Sequence, residues 1–116
     1  HALPDAADQV VALSRAVDAQ VERGEPGMLL HTFDADPEDA LGFVWTEVYA
    51  DSDALLFHLN NADLGAYLEA VSPHLDSFTI ELYGAVADEA VAALRATGNS
   101  VTHYANVLGY IRDLSP

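Results

Sequence analysis

Hydrophobic residues recur in this chain with two different periods, and the order of these periods limits the possible folds. The first stretch is helical, because its apolar residues follow an i, i+3, i+7 pattern between Val10 and Val21. The next two stretches, "MLLHTF" and "GFVWTEVYA", have the apolar or alternating character of strands, and the turn-rich "DADPED" joins them. The sequence therefore predicts a helix followed by a hairpin.

The second half of the chain repeats this change of period. The stretch "DALLFHLNN" is helical, a further helical piece follows Asp63 and continues to Val71, and "SFTIELYG" then alternates as a third strand. The segment "DEAVAALRATG" is acidic at its start and basic near its end, which is typical of a helix. The tail "VTHYANVLGYI" is rich in strand-forming residues, and we expect it to pair with a sheet edge. This order predicts an α+β fold with helices on one face of a mostly antiparallel sheet.

Length and composition indicate a single folded domain. A chain of 116 residues buries roughly two thirds of the surface that it exposes when unfolded. The hydrophobic content of 51% is too high for a disordered segment, yet no apolar run approaches the about 20 residues that cross a bilayer. The absence of cysteine excludes disulfides and thiolate metal sites and is typical of cytoplasmic proteins. We therefore expect a cytoplasmic protein without a membrane partner.

The net charge of the chain limits the classes of molecule that it can bind. There are 19 acidic residues against four arginines and no lysine, which gives a formal net charge of −15. Nucleic acids bind through lysine and arginine contacts to phosphates, so a surface this negative disfavours them, as it disfavours anionic membranes. The electrostatic field of this negative surface also disfavours strongly anionic substrates. We therefore expect a small ligand that is neutral or weakly charged.

Residues Phe43, Trp45, Glu47 and Tyr49 share one face of the second strand, because side chains alternate along a strand. Glu47 then lies among three aromatic rings, where a carboxylate needs a hydrogen-bonding partner. His58, about two turns into the following helix, is the candidate partner. The pair is either a reactive acid and base or a satisfied structural pair, and the pattern alone does not distinguish the two.

Other catalytic and metal-binding motifs are missing from the sequence. No two histidines have H-x-x-x-H spacing, and the acidic turn lacks the glycine and the final glutamate of a calcium loop. There is no glycine-rich phosphate loop, and without lysine there is no Schiff base. We therefore expect neither a metal site nor a cofactor.

The middle of the chain resembles the antibiotic biosynthesis monooxygenase family. The stretch "EPGMLLHTFDADPED" is similar to that family's helix end, strand and acidic turn, and "FVWTEVYADSDALLFHLNNADLGAYL" is similar to its next strand and helix. The resemblance covers roughly residues 5–84 of a single domain spanning 1–116, and residues 87–112 resemble an extension found in some members. It implies a ferredoxin-like antiparallel sheet that dimerises into an α+β barrel.

A homodimer is also expected from the residues themselves. A sheet with aromatic residues on both faces and helices on only one needs a second cover, and this chain is too short to supply a second sheet. Family members usually begin with a strand before the first helix, whereas only "HAL" precedes Pro4. Either that strand is missing, or the tail occupies its place.

The resemblance implies a ligand cleft inside each subunit, walled by the second strand and the following helix. On this basis we expect a cofactor-independent monooxygenase acting on a small quinol or phenol, with Glu47 and His58 as catalytic residues. The expected ligand contacts lie on the first two strands and the next helix: Trp45, Phe43, Tyr49, His31, Phe33 and Tyr67.

Two alternatives remain. The domain could isomerise a small metabolite, or bind one without turnover, because one fold hosts several chemistries. Haem degradation is a further branch of the superfamily, but as the sequences align its helical tryptophan falls at His58 and its haem-ligating histidine at Leu68. Both positions disagree with that function.

Overall fold

A computed structural model describes residues 1–112 and confirms a mixed α+β fold. The elements follow one another as α1 (Ala7–Gly24), β1 (Met28–Ala35), β2 (Phe43–Tyr49), α2 (Ser52–Leu59), α3 (Ala62–Val71), a short 3₁₀ turn (Ser72–His74), β3 (Thr79–Tyr83), α4 (Asp88–Arg95) and β4 (Ser100–Tyr104). No helix among the described residues is long and apolar enough to cross a membrane.

The sheet differs from the prediction of one mostly antiparallel sheet. Strands β1 and β2 form an antiparallel pair, but β3 and β4 form a separate parallel pair. The physical reason is the helix between β3 and β4, because α4 carries the chain back to the end at which β3 began and the next strand then runs in the same direction. The predicted pairing of the tail, residues 101–111, is confirmed for 101–104 and wrong for 105–111, which form no strand.

The tail does not replace a strand ahead of α1 in the described part of the chain, because β4 pairs with β3 alone. The residues before α1 are themselves tied into the fold. Ala2 forms an isolated antiparallel bridge with Leu75, and its N–H donates to the carbonyl of Leu41 at 2.8 Å. These contacts hold the first residues between the start of β2 and the start of β3.

Two hydrophobic clusters form the interior. The first joins α1 and α3 to the inner face of β1 and β2, with Val17, Val21 and Tyr67 among its buried members. The second joins α2 and α4 to the inner face of β3 and β4, around Leu55 and Leu94. The helical stripe predicted for α1 is therefore confirmed, since it packs against a sheet.

The outer face of the strands is aliphatic on the first pair and aromatic on the second. All three aromatic residues of β2 point towards the helices, as the alternation of the strand predicted. The exposed outward side chains are Leu30, Val44 and Val48 on the first pair of strands and the stacked rings of Tyr83 and Tyr104 on the second pair. The physical reason is the alternation itself, which places every aromatic residue of β2 on one side.

Gly27 permits a close approach between the turn after α1 and helix α2. A Cβ atom at this position would lie 2.7 Å from the Cβ of Ala54. The carbonyl of Gly27 also accepts a hydrogen bond from the N–H of Ala50 at 2.9 Å. This approach fixes the end of α1 beside the first turn of α2.

We expect Gly27→Ala to lower the free energy of unfolding by about 1–3 kcal/mol, because the added methyl group overpacks the contact with Ala54. Urea unfolding measures the change. Ala54→Gly alone should cost about 1 kcal/mol as a glycine in a helix, but less in the Gly27→Ala background, where it relieves the clash. Gly65→Ala is the control, since its site is open and the change should stabilise α3.

Purely additive effects of Gly27→Ala and Ala54→Gly would contradict the close approach.

Candidate functional site

A cavity of about 620 Å³ lies between β2 and β3, where the two hydrophobic clusters meet. No backbone ladder joins these two strands among the described residues, so the space between them is open to side chains. Most of its lining is hydrophobic, including Val21, Leu55 and Ile80, and its polar groups include Glu47 and His58. This size and lining are typical of a small-molecule site.

Glu47 is held in the wall of the cavity by two neighbours. The hydroxyl of Tyr49 donates to its Oε2 at 2.6 Å, and Nε2 of His31 lies 3.4 Å from its Oε1. Burial raises the pKa of Glu47, but the contacts with His31 and Tyr49 and the charge of His58 outweigh burial, and the pKa falls below its ordinary value. Glu47 is therefore an anion near neutral pH and a weak base.

The protonation state of Tyr49 agrees with an anionic Glu47. Burial raises the pKa of its hydroxyl, and the negative charge of Glu47 raises it further. The hydroxyl therefore keeps its proton and acts only as a donor to Glu47.

His58 lies between two carboxylates. Its Nδ1 is 2.7 Å from Oε2 of Glu25, and its Nε2 is 4.0 Å from Oε1 of Glu47. The contact with Glu25 is short enough for a strong hydrogen bond to a charged acceptor. The contact with Glu47 is too long for a hydrogen bond. The sequence predicted His58 as the hydrogen-bonding partner of Glu47, and this pairing is wrong. The two side chains share the wall of the cavity, but His58 is bonded to Glu25, because the end of α1 approaches α2.

Glu25 is a site residue that sequence reasoning missed. Its side chain follows the end of α1 and is buried, with only 4% of the residue exposed. Its Oε1 accepts a second hydrogen bond, from Nδ2 of Asn61 at 2.5 Å. A signal was available, because an acidic residue at the C-terminal end of a helix opposes the helix dipole and needs another reason to be there.

His31 extends the cluster towards the surface. Its Nδ1 is bonded to Oδ1 of Asp18, a side chain that is 51% exposed, while its Nε2 faces Glu47. The contact with Glu47 raises the pKa of His31, burial lowers it, and the contact with Asp18 raises it again, so that the pKa lies above its ordinary value. Asp18 was also missed, because it lies on α1 and meets His31 only in the folded chain.

The predicted ligand contacts divide into two groups. Trp45, Tyr49 and His31 line the cavity. Phe33, Phe43 and Tyr67 lie outside it in the first cluster, where the two phenylalanine rings stack and the Tyr67 hydroxyl is 3.0 Å from Oγ of Ser14. Within residues 1–112, no group of three or more histidine, aspartate or glutamate side chains is arranged to hold a metal ion.

Comparison with protein families adds one finding. The family model described as antibiotic biosynthesis monooxygenase matches residues 1–70, which is more than half of the chain. The match includes α1, the β1–β2 hairpin, α2 and most of α3, and therefore Glu25, Glu47 and His58. No curated protein sequence matches the chain significantly.

We expect Glu47→Gln to lower the pKa of His31 towards its ordinary value of about 6.5, because the anion beside Nε2 is lost. NMR titration of the His31 ring measures this shift. Since the folded pKa of His31 is raised, its pairing stabilises the wild type fully below about pH 6.5 and progressively less as pH rises through the folded pKa. The stability difference between wild type and variant should shrink in the same direction.

Glu81→Gln is the matched control for this titration. The hydroxyl of Tyr83 donates to Glu81 on β3 as that of Tyr49 does to Glu47 on β2, but this second pair is exposed. The control removes the same charge without touching His31. An identical His31 titration in the wild type and in Glu47→Gln would show that the two side chains do not interact.

Proposed function

We propose that this chain, which belongs to the antibiotic biosynthesis monooxygenase family, is a cofactor-independent monooxygenase for a small quinol or phenol. The observation that carries the proposal is the placement of His58 and Glu47 in the wall of one largely apolar cavity. The cavity offers a base, a fixed negative charge and a largely apolar lining beside a reactive anion.

His58 is the better candidate for the base. Its Nδ1 is already bonded to Glu25, and an ionised carboxylate can only accept, so the proton of a neutral imidazole lies on Nδ1. The lone pair of Nε2 then remains free, because Glu47 is also an acceptor. Glu47 has a lowered pKa and is the weaker base, but its charge stabilises the imidazolium that forms when Nε2 takes a proton.

The reaction balances with O₂ as the only oxidant. Nε2 of His58 takes the phenolic proton, and the resulting anion gives electrons from a ring carbon to O₂ as a C–O bond forms. The peroxide receives the proton back from the imidazolium. Loss of the C–H proton from the same carbon then breaks the O–O bond, so that one oxygen atom becomes a carbonyl and the other leaves as water.

The charge of the protein agrees with this substrate class. A neutral quinol enters a chain of net charge −15 without the repulsion that a phosphate or a dicarboxylate would meet. Hydrophobic lining on both sides of the cavity also suits an aromatic ring.

Isomerisation of a small metabolite is the second candidate. An imidazole and a carboxylate that share a cavity wall can move a proton between two carbon atoms without oxygen, and the His58 and Glu47 pair has this composition. Binding without turnover is the third possibility, and it requires only the cavity.

We expect the protein to accelerate oxygen uptake from at least one member of a panel of benzene, naphthalene and anthracene quinols. His58→Gln should lower kcat by about 10²–10⁴-fold, which is the usual contribution of a general base, with little change in KM. An oxygen electrode measures the rate. His74→Gln is the matched control, because His74 lies outside the cavity.

Quinol binding without oxygen uptake would contradict the oxygenase and favour the alternatives. Equal loss of activity in His58→Gln and His74→Gln would contradict His58 as the base. A Soret band on adding haem would instead support the haem-degrading branch.

We further propose that the outer face of the strands is covered by a second copy of the chain, as in a dimeric α+β barrel. Val44 is 57% exposed and Tyr83 is 67% exposed, and with Leu30, Val48 and Tyr104 they leave both pairs of strands without an apolar cover. The helices already cover the inner face. A stable dimer needs about 800 Å² from each partner, and a strand face of this extent is the surface available for it.

We expect light scattering to give twice the chain mass at micromolar protein concentration. Dimerisation should strengthen as salt rises, because salt screens the repulsion between two chains that each carry a formal charge of −15. Val44→Lys should give monomers, whereas Val107→Lys, on the 93% exposed tail residue, should not. A monomer mass for the wild type at all salt concentrations would contradict the dimer.

A further inference from the structure

We propose that Glu25, oriented by Asn61, is a positioning residue that fixes the tautomer of His58 and leaves Nε2 free to act as the base. This inference deepens the proposed function and rests on it for its catalytic meaning. Glu25 does not line the cavity, so it acts on a bound ligand only through the imidazole.

Each carboxylate oxygen of Glu25 has its own hydrogen-bond partner. Oε2 is 2.7 Å from Nδ1 of His58, and Oε1 is 2.5 Å from Nδ2 of Asn61. Because the carboxylate has no proton to give, it selects the tautomer of a neutral His58 that carries its proton on Nδ1. Glu25 at 4% exposure and His58 at 5% exposure are both buried, which limits the access of water to the bond between them.

Asn61 cannot exchange the roles of its amide atoms. Its side-chain oxygen caps α3 by accepting from the N–H of Asp63 at 2.9 Å, so its NH₂ group must face Glu25. Asn61 therefore presents a fixed donor to Oε1, and the remaining oxygen of Glu25 is directed at His58.

The local sequence explains why the carboxylate reaches this place. Pro26 follows Glu25 and prevents α1 from continuing, and Gly27 allows the turn to contact Ala54, one helical turn before His58. The E-P-G stretch thus supplies the acid, the end of the helix and the close approach in three consecutive residues.

Glu25→Gln gives a test with a defined direction. Asn61 still needs an acceptor, so the oxygen of the new amide should turn towards it, and the NH₂ group should then face Nδ1 of His58. An NH₂ group can only donate, so we expect the His58 proton to move from Nδ1 to Nε2. Long-range ¹⁵N–¹H NMR of the imidazole ring, at a pH where it is neutral, reports the tautomer directly.

The double variant Glu25→Gln with Asn61→Asp should restore the original tautomer. The new carboxylate at position 61 can keep the cap with one oxygen and accept from the NH₂ group at position 25 with the other. The amide oxygen then faces His58 and accepts from Nδ1. The swap also conserves charge, and it keeps a satisfied network if Glu25→Gln alone is poorly folded.

Glu22→Gln is the matched control. It removes the same charge from the last turn of α1, but Glu22 is exposed and has no contact with His58. We expect the wild-type tautomer in this variant.

Activity provides an independent readout. With an active quinol, Glu25→Gln should lower kcat by at least about tenfold at unchanged KM, because Nε2 is blocked by a proton while the cavity lining is intact. The double variant should recover most of this loss.

Three outcomes would overturn the inference: the same tautomer in the wild type and in Glu25→Gln, an imidazole that carries both protons wherever the protein is folded, or a double variant that does not fold or keeps the altered tautomer. If the tautomer switches as expected but no quinol consumes oxygen, the positioning role stands and the proposed oxygenase fails.

Discussion

The burial of the Glu25 carboxylate is the constraint on which the rest of the site depends. A carboxylate that is 4% exposed must be fully hydrogen-bonded, because desolvating an unpaired charge costs several kcal/mol. The imidazole of His58 and the amide of Asn61 meet that need, and both lie at the junction of α2 and α3. The carboxylate therefore ties the end of α1 to this junction and gives the imidazole a defined orientation in the cavity wall.

Histidines are the basic partners of the carboxylates in this protein. Among residues 1–112, every ion pair contains a histidine, and the arginines take no part. Imidazole changes charge near pH 6.5, whereas arginine stays charged throughout the physiological range. A chain with four arginines and no lysine thus makes its internal electrostatics sensitive to pH near neutrality. Because histidine takes the place of arginine in these pairs, groups that can transfer protons, rather than permanent cations, lie beside the cavity.

The cavity results from the way the two hydrophobic clusters meet. Each cluster lies mainly between one pair of strands and its helices, although Tyr49 of β2 packs against the second cluster, and β2 and β3 are not joined by a ladder. Val21 of the first cluster and Leu55 of the second both face the space between them. Apolar walls on both sides lower the local dielectric, which strengthens the interaction between His58 and its two carboxylates.

The sequence by itself determined the elements and the faces of the strands. Apolar periodicity located α1, the hairpin and β3, and strict alternation placed Trp45, Glu47 and Tyr49 on one side of β2. These properties depend on residues close in the chain, so local pattern is sufficient to reveal them. The strand, helix and strand at the end of the chain also indicate the parallel pairing of β3 and β4, although we interpreted the overall order of elements as a mostly antiparallel sheet.

Only the tertiary structure decided which groups meet. Glu25 and His58 are 33 positions apart, and Asp18 and His31 lie on different elements, so no spacing rule connects them. The contact between Glu25 and His58 depends on how closely the end of α1 approaches α2, which Gly27 and Ala54 limit through their van der Waals contact. The same packing left Phe33, Phe43 and Tyr67 in the core and opened the cavity beside Trp45 and Tyr49. The sequence determines which side chains can carry a charge. The partner of a buried charge is determined by three-dimensional packing, because only packing removes the competing water.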